Sequence, residues 1–265
     1  MKSYYYRVVI AYNGSNYFGW QDLSEEETKP TVQGTITQAL RKICKYAECT
    51  VSGASRTDAG VHALGQVAKL TVPLDISPEK LQLGLNSLLP EDIRIRQCVS
   101  CQSDFNPNKH ASGKKYRYYF SIDSVCSPML QPIVAHVPAR LEGSDAGRDL
   151  DLKRMRQACE LFLGEHDFYS FAGRDKNVES TVRNITSLQL VKTGALDLGG
   201  EVYFFEVEGD GFLKHMVRYI VGTIIDAGRH AISLEDIAQT LGEREEEKLS
   251  RRAKARGLHL IEINY

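Results

Sequence analysis

Apolar and polar residues alternate along several stretches of this chain, and elsewhere apolar residues recur at helical spacing. Residues 4–12 alternate and are rich in aromatic and β-branched side chains, which predicts a strand. Behind Thr31, residues 32–43 carry apolar side chains on one helical face, which predicts a helix with a threonine N-cap. Ser77 followed by Pro78 predicts the start of a second helix, because proline fits the first helical position.

The predicted elements of the first half follow the order strand, helix, strand, strand, helix, strand, which is typical of ferredoxin-like domains. The second half is predicted to repeat this order, with helices over 151–163 and 213–227 and a last strand over 258–265. Two such βαββαβ halves predict an α+β fold with mostly antiparallel sheets and helices on one face. We predict an N-terminal ferredoxin-like domain over 1–104 and a C-terminal one over 105–265.

Composition places the chain among globular proteins that can bury a substantial core. Of its 265 residues, 42% are hydrophobic and 25% are charged, which is ordinary for folded domains. No apolar run approaches the roughly 18 residues that suggest a membrane span. The first residues also lack the apolar core of a signal peptide. We therefore expect a cytoplasmic protein without a membrane association.

The net charge of −1 excludes a uniformly basic nucleic-acid-binding protein. It does not exclude a local basic groove, because acidic residues are concentrated in runs such as Glu25–Glu27 and Glu245–Glu247. A basic run lies at Arg251–Arg256. A run of this kind is usually only solvated, but it can also contact phosphates.

Six cysteines raise the question of a metal site. Cys98 and Cys101 have metal-ligand spacing, and the nearest other pair is Cys44 and Cys49. A four-cysteine zinc site would require both pairs to meet in space. Free cysteine is often a small buried apolar residue, so we predict neither a metal site nor a disulfide framework.

The most distinctive stretch runs from Gly53 to Ala63 with the sequence GASRTDAGVHA. Predicted strands over 49–52 and 66–72 flank it, so Asp58 is expected in a connecting loop. A cationic neighbour such as Arg56 would keep this carboxylate ionised and available as a nucleophile or base. The alternative is an aspartate that merely forms a turn.

Residues 114–119, with the sequence KKYRYY, interleave cations and aromatics on a predicted strand. Alternation puts Tyr116 and Tyr118 on one face and the neighbouring cations on the other. An exposed aromatic ring can stack on a base while cations hold phosphates. The alternative is a core strand with partly buried tyrosines. Lys214 and Arg218, four residues apart on a predicted helix, share a face that either lines a cleft or meets solvent.

Residues 56–63, with the sequence RTDAGVHA, resemble the active-site signature of the TruA-type tRNA pseudouridine synthases. The resemblance extends over nearly the whole chain, and its other segments are 12–14, 18–21, 31–34, 86–90, 116–118, 215–222 and 257–258. It implies a pseudouridine synthase fold with an active-site cleft between the two halves. Four places depart from the family pattern: Ser55, Pro107–Asn108, Tyr219 and Lys254.

The resemblance implies an isomerase that converts uridine to pseudouridine in the anticodon stem-loop of tRNA, acting as a homodimer without metal or cofactor. Asp58 is then the essential carboxylate, supported by Arg56 and Arg218. Tyr116 is expected over the target base and Leu258 against the uracil. The residues predicted to bind the RNA are Tyr116, Lys114, Lys115, Lys214, Arg251 and Arg252.

Two other functions compete with this interpretation. A non-catalytic RNA-binding module would use the same basic and aromatic strand but would not need Asp58. A metal-dependent hydrolase would use Asp58 and His62, which suit a metal pair only if they lie on a helix. Gly60 stands between them and disfavours a helix there.

Overall fold

The computed structural model describes residues 2–21, 30–139, 150–176, 178–193 and 200–265. The acidic run at Glu25–Glu27 lies outside these residues. The chain forms two compact units, of which the first contains residues up to Ser112 together with His259–Tyr265 and the second contains Gly113–Leu258. These units do not define domain boundaries, so the predicted domain division after residue 104 stays a prediction.

The elements of the first unit are β1 (Tyr4–Tyr12), α1 (Val32–Ile43), β2 (Thr50–Gly53), β3 (His62–Val72), α2 (Pro78–Leu88), β4 (Ile93–Ser100) and β10 (Leu258–Asn264). Its sheet contains the strand order β4-β1-β3, in which β1 lies antiparallel to both neighbours. Strand β2 pairs antiparallel with β3, and β10 pairs parallel with β3 through His259 and Leu260.

Both predicted helix starts of this unit are confirmed. The Thr31 hydroxyl accepts a hydrogen bond from the Gly34 amide at 3.1 Å, and the Ser77 hydroxyl accepts one from the Lys80 amide at 3.4 Å. Each cap satisfies an amide that the first helical turn leaves without a partner. Helix α1 buries the apolar face that the spacing predicted, which consists of Val32, Ile36, Ala39 and Leu40.

Strand β3 begins at His62, four residues before the predicted start at residue 66. Ile10 of β1 lies opposite Gln66, but Tyr12 lies opposite Ala63. Two residues of β1 therefore span the same length as three residues of β3, which is a bulge. The extra residue interrupts the period-two pattern, and this interruption explains why the pattern missed the first part of the strand.

The elements of the second unit are β5 (Gly113–Ser121), β6 (Ala135–His136), α3 (Leu152–Leu161), β7 (Gly164–Asp167), β8 (Val182–Lys192), β9 (Val202–Gly209), α4 (Met216–Gly228) and α5 (Leu234–Gly242). Its strands form an antiparallel sheet in the order β5-β9-β8-β7, and the short strand β6 pairs parallel with β5. The predicted fold class, α+β with mostly antiparallel pairing, is confirmed in both units.

Helix α4 begins at Met216 rather than at residue 213. The preceding residue, His215, has a left-handed backbone with φ of 63°, so the chain turns sharply before the helix. Lys214 consequently lies outside the helix, and the prediction that it shares a helical face with Arg218 is wrong. Among the described residues α4 is the longest helix, with 13 residues, and no described helix is long and apolar enough to cross a membrane.

Candidate active site

Asp58 lies in the loop between β2 and β3 and is half-buried. A turn follows it, in which the Val61 amide donates to the Asp58 carbonyl at 3.1 Å. Gly60 within the turn has φ of 76°, a conformation that glycine adopts without steric cost. Main-chain atoms close this turn, so a substitution of the Asp58 side chain leaves this hydrogen bond in place.

The residue before Asp58 is fixed by two hydrogen bonds from elsewhere in the unit. The Thr57 hydroxyl is 2.7 Å from the Tyr12 hydroxyl in a buried contact. The Thr57 carbonyl accepts from the Trp20 amide at 3.0 Å. At Gly19 the chain passes so close to the loop that a Cβ atom would stand 2.6 Å from the Thr57 carbonyl oxygen. The backbone at Asp58 is therefore held from two sides.

Gln66 holds the other side of the loop. Its side-chain amide donates to the Ser55 carbonyl at 2.6 Å, and its oxygen accepts from the Ser55 and Val67 amides, each at 3.2 Å. The Gln66 side chain is completely buried, with 0% exposure. A buried amide of this kind satisfies main-chain groups that no strand ladder reaches.

We expect Gln66→Leu to lower the free energy of unfolding by about 2 to 4 kcal/mol, because both main-chain groups of Ser55 lose a buried partner. Urea denaturation followed by circular dichroism measures the change. Gln97→Leu is the matched control, since Gln97 is exposed on β4, and should change stability by less than about 0.5 kcal/mol. Equal stability of the two variants would contradict the role assigned to Gln66.

His62, the proposed metal partner of Asp58, is buried and stacks on His259 with ring centroids 4.5 Å apart. Its Nδ1 accepts a hydrogen bond from the Gly14 amide at 3.1 Å. The structure has no helix between Asp58 and His62, as predicted. In the part of the chain that the structure describes, no group of three or more His, Cys, Asp or Glu residues could hold a metal ion. All six cysteines are free thiols.

Strand β5 of the second unit follows the predicted alternation. Tyr116 and Tyr118 are buried, with 6% and 1% exposure, whereas Lys115 and Arg117 are half-buried on the other face. The ring of Tyr116 meets the ring of Phe212 edge-on, with centroids 5.2 Å apart. The burial of both tyrosines fits the core-strand alternative, and the place of Tyr116 over a target base stays a prediction.

The two lysines at the start of β5 differ in their surroundings. Burial, with a smaller contribution from Arg183, lowers the pKa of Lys114 to about 8. Lys115 lies directly across from Glu208 on β9 and forms an ion pair with it at 2.7 Å. That Lys114 and Lys115 contact RNA stays a prediction.

Arg218 lies in the first turn of α4 and is half-buried. Its Nε donates to the Ala253 carbonyl at 2.8 Å, and the Ala253 amide donates back to the Arg218 carbonyl at 3.0 Å. This reciprocal pair fixes the basic run against the helix. Arg252 Nη1 lies 2.9 Å from His215 Nδ1, which requires an acceptor nitrogen on the imidazole. Arg251 is exposed.

Leu258 begins β10 directly after a short 3-10 turn over Ala255–Gly257 and is buried, with 7% exposure. Four of the predicted site residues are exposed: Arg56, Lys214, Arg251 and Arg252. The second unit thus brings Arg218, Arg251 and Arg252 together around α4, whereas Asp58 and Arg56 share the loop of the first unit.

Comparison with known proteins relates this loop and these strands to one enzyme family. The model of the family described as tRNA pseudouridine synthase matches residues 8–107 and 158–265. The chain belongs to the tRNA pseudouridine synthase family. It is 47% identical to tRNA pseudouridine synthase A 2 of Desulfotalea psychrophila over 262 residues, which covers 98% of each chain.

Other members of the tRNA pseudouridine synthase family show the same extent of similarity. The enzymes named tRNA pseudouridine synthase A from Thermodesulfovibrio yellowstonii and Acetivibrio thermocellus are 38% and 36% identical to this chain. Each match covers 98% of both sequences. The predicted family is therefore confirmed over 98% of the chain, and with it the enzyme class, an isomerase.

Three residues that hold the signature loop of this family member were given no role from the sequence: Tyr12, Thr57 and Gln66. Each acts on the loop through a hydrogen bond to a residue distant in sequence. Tyr12 and Thr57 both lie within segments that resemble the family, and that position was the available signal. Gln66 gave none, because a polar residue at the start of a strand is ordinarily solvated.

Proposed function

We propose that this chain isomerises uridine to pseudouridine in the anticodon stem-loop of tRNA, with Asp58 as the essential carboxylate. The observation that carries the proposal is the position of Asp58 in a loop held by Thr57 and Gln66, in a member of the tRNA pseudouridine synthase family. Catalytic groups act best when their backbone is fixed in this way.

The reaction breaks the bond between the uracil nitrogen and the sugar and replaces it with a carbon–carbon bond. All heavy atoms of the uridine are retained, and no net oxidation occurs, so the reaction needs no co-reactant. Three routes are open to the carboxylate: attack on the sugar carbon, attack on the base, and removal of a sugar proton. Each of them starts from the ionised form of Asp58.

The remaining site residues take supporting roles in this proposal. Arg56 and Arg218 favour the ionised form of Asp58 and help to displace the target base. Extruding a nucleotide costs a few kcal/mol, which stacking on Tyr116 offsets. Leu258 packs against the uracil. The residues proposed to hold the RNA backbone are Lys114, Lys115, Lys214, Arg251 and Arg252.

We also propose that the enzyme acts as a homodimer in the cytoplasm, where its tRNA substrate is found. Two copies of a chain with a net charge of −1 can still present a basic surface to RNA if their cations are concentrated there. Sedimentation of the protein at micromolar concentration tests the dimer, and a species of single-chain mass would contradict it.

Release of tritium tests the proposed reaction directly. Formation of the carbon–carbon bond displaces the hydrogen on the uracil carbon that becomes bonded to the sugar. We expect the protein to release tritium to water from an unmodified tRNA transcript labelled at uracil carbon 5. A protein that binds the transcript without releasing tritium would favour the non-catalytic RNA-binding module.

The double variant Arg251→Gln, Arg252→Gln should bind tRNA more weakly than the wild type. The slope of the logarithm of its binding constant against the logarithm of the salt concentration should become shallower by up to about two. The reason is that each cation bound to a phosphate releases counterions. Lys153→Gln with Arg156→Gln is the matched control, because both residues are exposed on α3. Filter binding between low and moderate salt measures the slope. Equal slopes for the two double variants would mean that the basic run is only solvated and does not contact phosphates.

A further inference from the structure

A basic pocket lies in the second unit between one side of α4 and residues 248–252. Its volume is about 810 Å³, and it opens to solvent. Four of its lining residues are cations and one is an acid, so the lining has a formal charge of +3. These five are Arg218, Lys248, Arg251, Arg252 and Asp226.

The acid of the lining is engaged by a neighbour. Asp226 accepts a hydrogen bond from the Ser250 hydroxyl, and Ser250 also lines the pocket. This bond ties the segment that carries the cations to α4. The Asp226 carboxylate therefore stabilises the pocket wall, and the four cations of the lining still outnumber this single acid.

Lys248 is held in a defined position at this pocket. Its ammonium donates to the Tyr169 carbonyl at 3.0 Å. It also lies 5.5 Å from the ring centre of Tyr169 and 5.9 Å from that of Tyr219, distances at which cation–π attraction acts. A lysine ammonium has three N–H donors, and the carbonyl takes one of them.

The charge of Lys248 is poorly compensated by its neighbours. Burial, and after it the nearby charge of Arg174, lower the pKa of Lys248 more than Glu246 raises it. Glu246 itself forms an ion pair with Arg174. Within the described part of the chain, no acid forms an ion pair with Lys248. A half-buried cation in such surroundings favours the arrival of an anion.

Two further cations are fixed at the same pocket. Arg218 is bound to Ala253 through its Nε, and Arg252 is bound to the imidazole of His215 and lies 6.0 Å from the ring centre of Tyr219. Cations that are already ordered lose little conformational freedom when a ligand binds. The pocket is thus arranged for an anion before any ligand is present.

We propose that this pocket binds a backbone phosphate of the tRNA substrate, with Lys248 and Arg252 as its direct ligands and Tyr169 and Tyr219 holding Lys248 in place. The proposal rests on the proposed function, which supplies the RNA. It adds Lys248, Tyr169 and Tyr219 to the substrate-binding residues. Phosphate oxygens accept hydrogen bonds from both kinds of cation, and the excess positive charge matches a phosphodiester.

The test compares Lys248→Met, Lys248→Arg and the control Lys153→Met in binding an unmodified tRNA transcript at several salt concentrations. Methionine keeps the length and packing of the side chain but removes its charge. We expect Lys248→Met to bind about tenfold more weakly and to lose about one unit of salt slope. Its KM should rise while kcat stays near the wild-type value. Lys248→Arg and Lys153→Met should bind like the wild type.

Unchanged affinity of Lys248→Met would overturn the phosphate site. So would an equal loss of affinity in Lys248→Met and Lys248→Arg with an unchanged salt slope, because that result indicates lost packing rather than lost charge. The proposed function is tested separately by the wild-type protein. Absence of pseudouridine from the wild-type reaction contradicts the proposed function, whereas a normal reaction with a wild-type salt slope in Lys248→Met contradicts only the phosphate site.

Discussion

Asp58→Asn is expected to fold, to bind tRNA and to form no detectable pseudouridine. Asparagine keeps the size of the side chain and most of its hydrogen bonding, but it has no negative charge and cannot act as the carboxylate nucleophile or base. The turn after Asp58 is closed by its main-chain carbonyl, which the substitution leaves in place. We therefore expect the free energy of unfolding to change by less than about 1 kcal/mol.

A matched variant separates loss of catalysis from loss of a surface charge. Asp104 is exposed in the loop after β4, and Asp104→Asn should retain normal turnover. Tritium release, filter binding and thermal unfolding are measured for both proteins. Near-normal pseudouridine formation by Asp58→Asn would overturn the assignment of the catalytic carboxylate. An unfolded Asp58→Asn variant would instead favour the alternative of a structural, turn-forming aspartate.

Tyr116→Phe is expected to lower turnover about a hundredfold while leaving tRNA affinity unchanged, if the hydroxyl assists a proton transfer. The substitution keeps the ring, its contact with Phe212 and its capacity to stack on a base. Only the hydroxyl is lost. Single-turnover rates with saturating enzyme measure the effect on the chemical step without a contribution from binding.

Two other tyrosines on the same strand serve as comparisons for Tyr116. Tyr119 lies on the opposite face of β5, and Tyr119→Phe should leave the rate unchanged. The hydroxyl of Tyr118 accepts a hydrogen bond from the Lys254 main chain, so Tyr118→Phe should cost about 1 kcal/mol of stability. A wild-type rate for Tyr116→Phe would mean that its hydroxyl takes no part in the chemistry.

Elements specified by local signals were predicted well from the sequence. The caps at Thr31 and Ser77 act within one turn of the helix that they begin, so the residues that specify the start are adjacent to it. The alternation along β5 likewise predicted which side chains share a face, and the face with Tyr116 and Tyr118 is the buried one. In these cases the sequence pattern and the structure describe the same local geometry.

Elements specified by distant contacts were predicted poorly. Strand β7 was not predicted, because it has only four residues and is defined by its pairing with β8. The predicted start of α4 was three residues too early, because the left-handed backbone of His215 leaves no sign in the pattern of apolar residues. The bulge that displaces the start of β3 depends on its register with β1. Register is a tertiary property that a single strand does not encode.

The candidate site shows the same division. The signature around Asp58 and the basic run at Arg251–Arg256 could be recognised because their residues are contiguous. The groups that hold them could not, since Gln66 binds Ser55 across eleven positions and Lys248 binds Tyr169 across 79. Supporting residues of this kind become visible only when the chain is folded, and they are the source of the phosphate site proposed at α4.

The most direct test of the central claim is to map pseudouridine in an unmodified tRNA transcript after incubation with the purified protein and no added cofactor. We expect new pseudouridine at uridines of the anticodon stem-loop with the wild-type protein, and none with Asp58→Asn. A wild-type reaction that leaves every uridine of a bound transcript unmodified would contradict the central claim. Modification confined to positions outside the anticodon stem-loop would contradict the proposed substrate site while leaving the enzyme class intact.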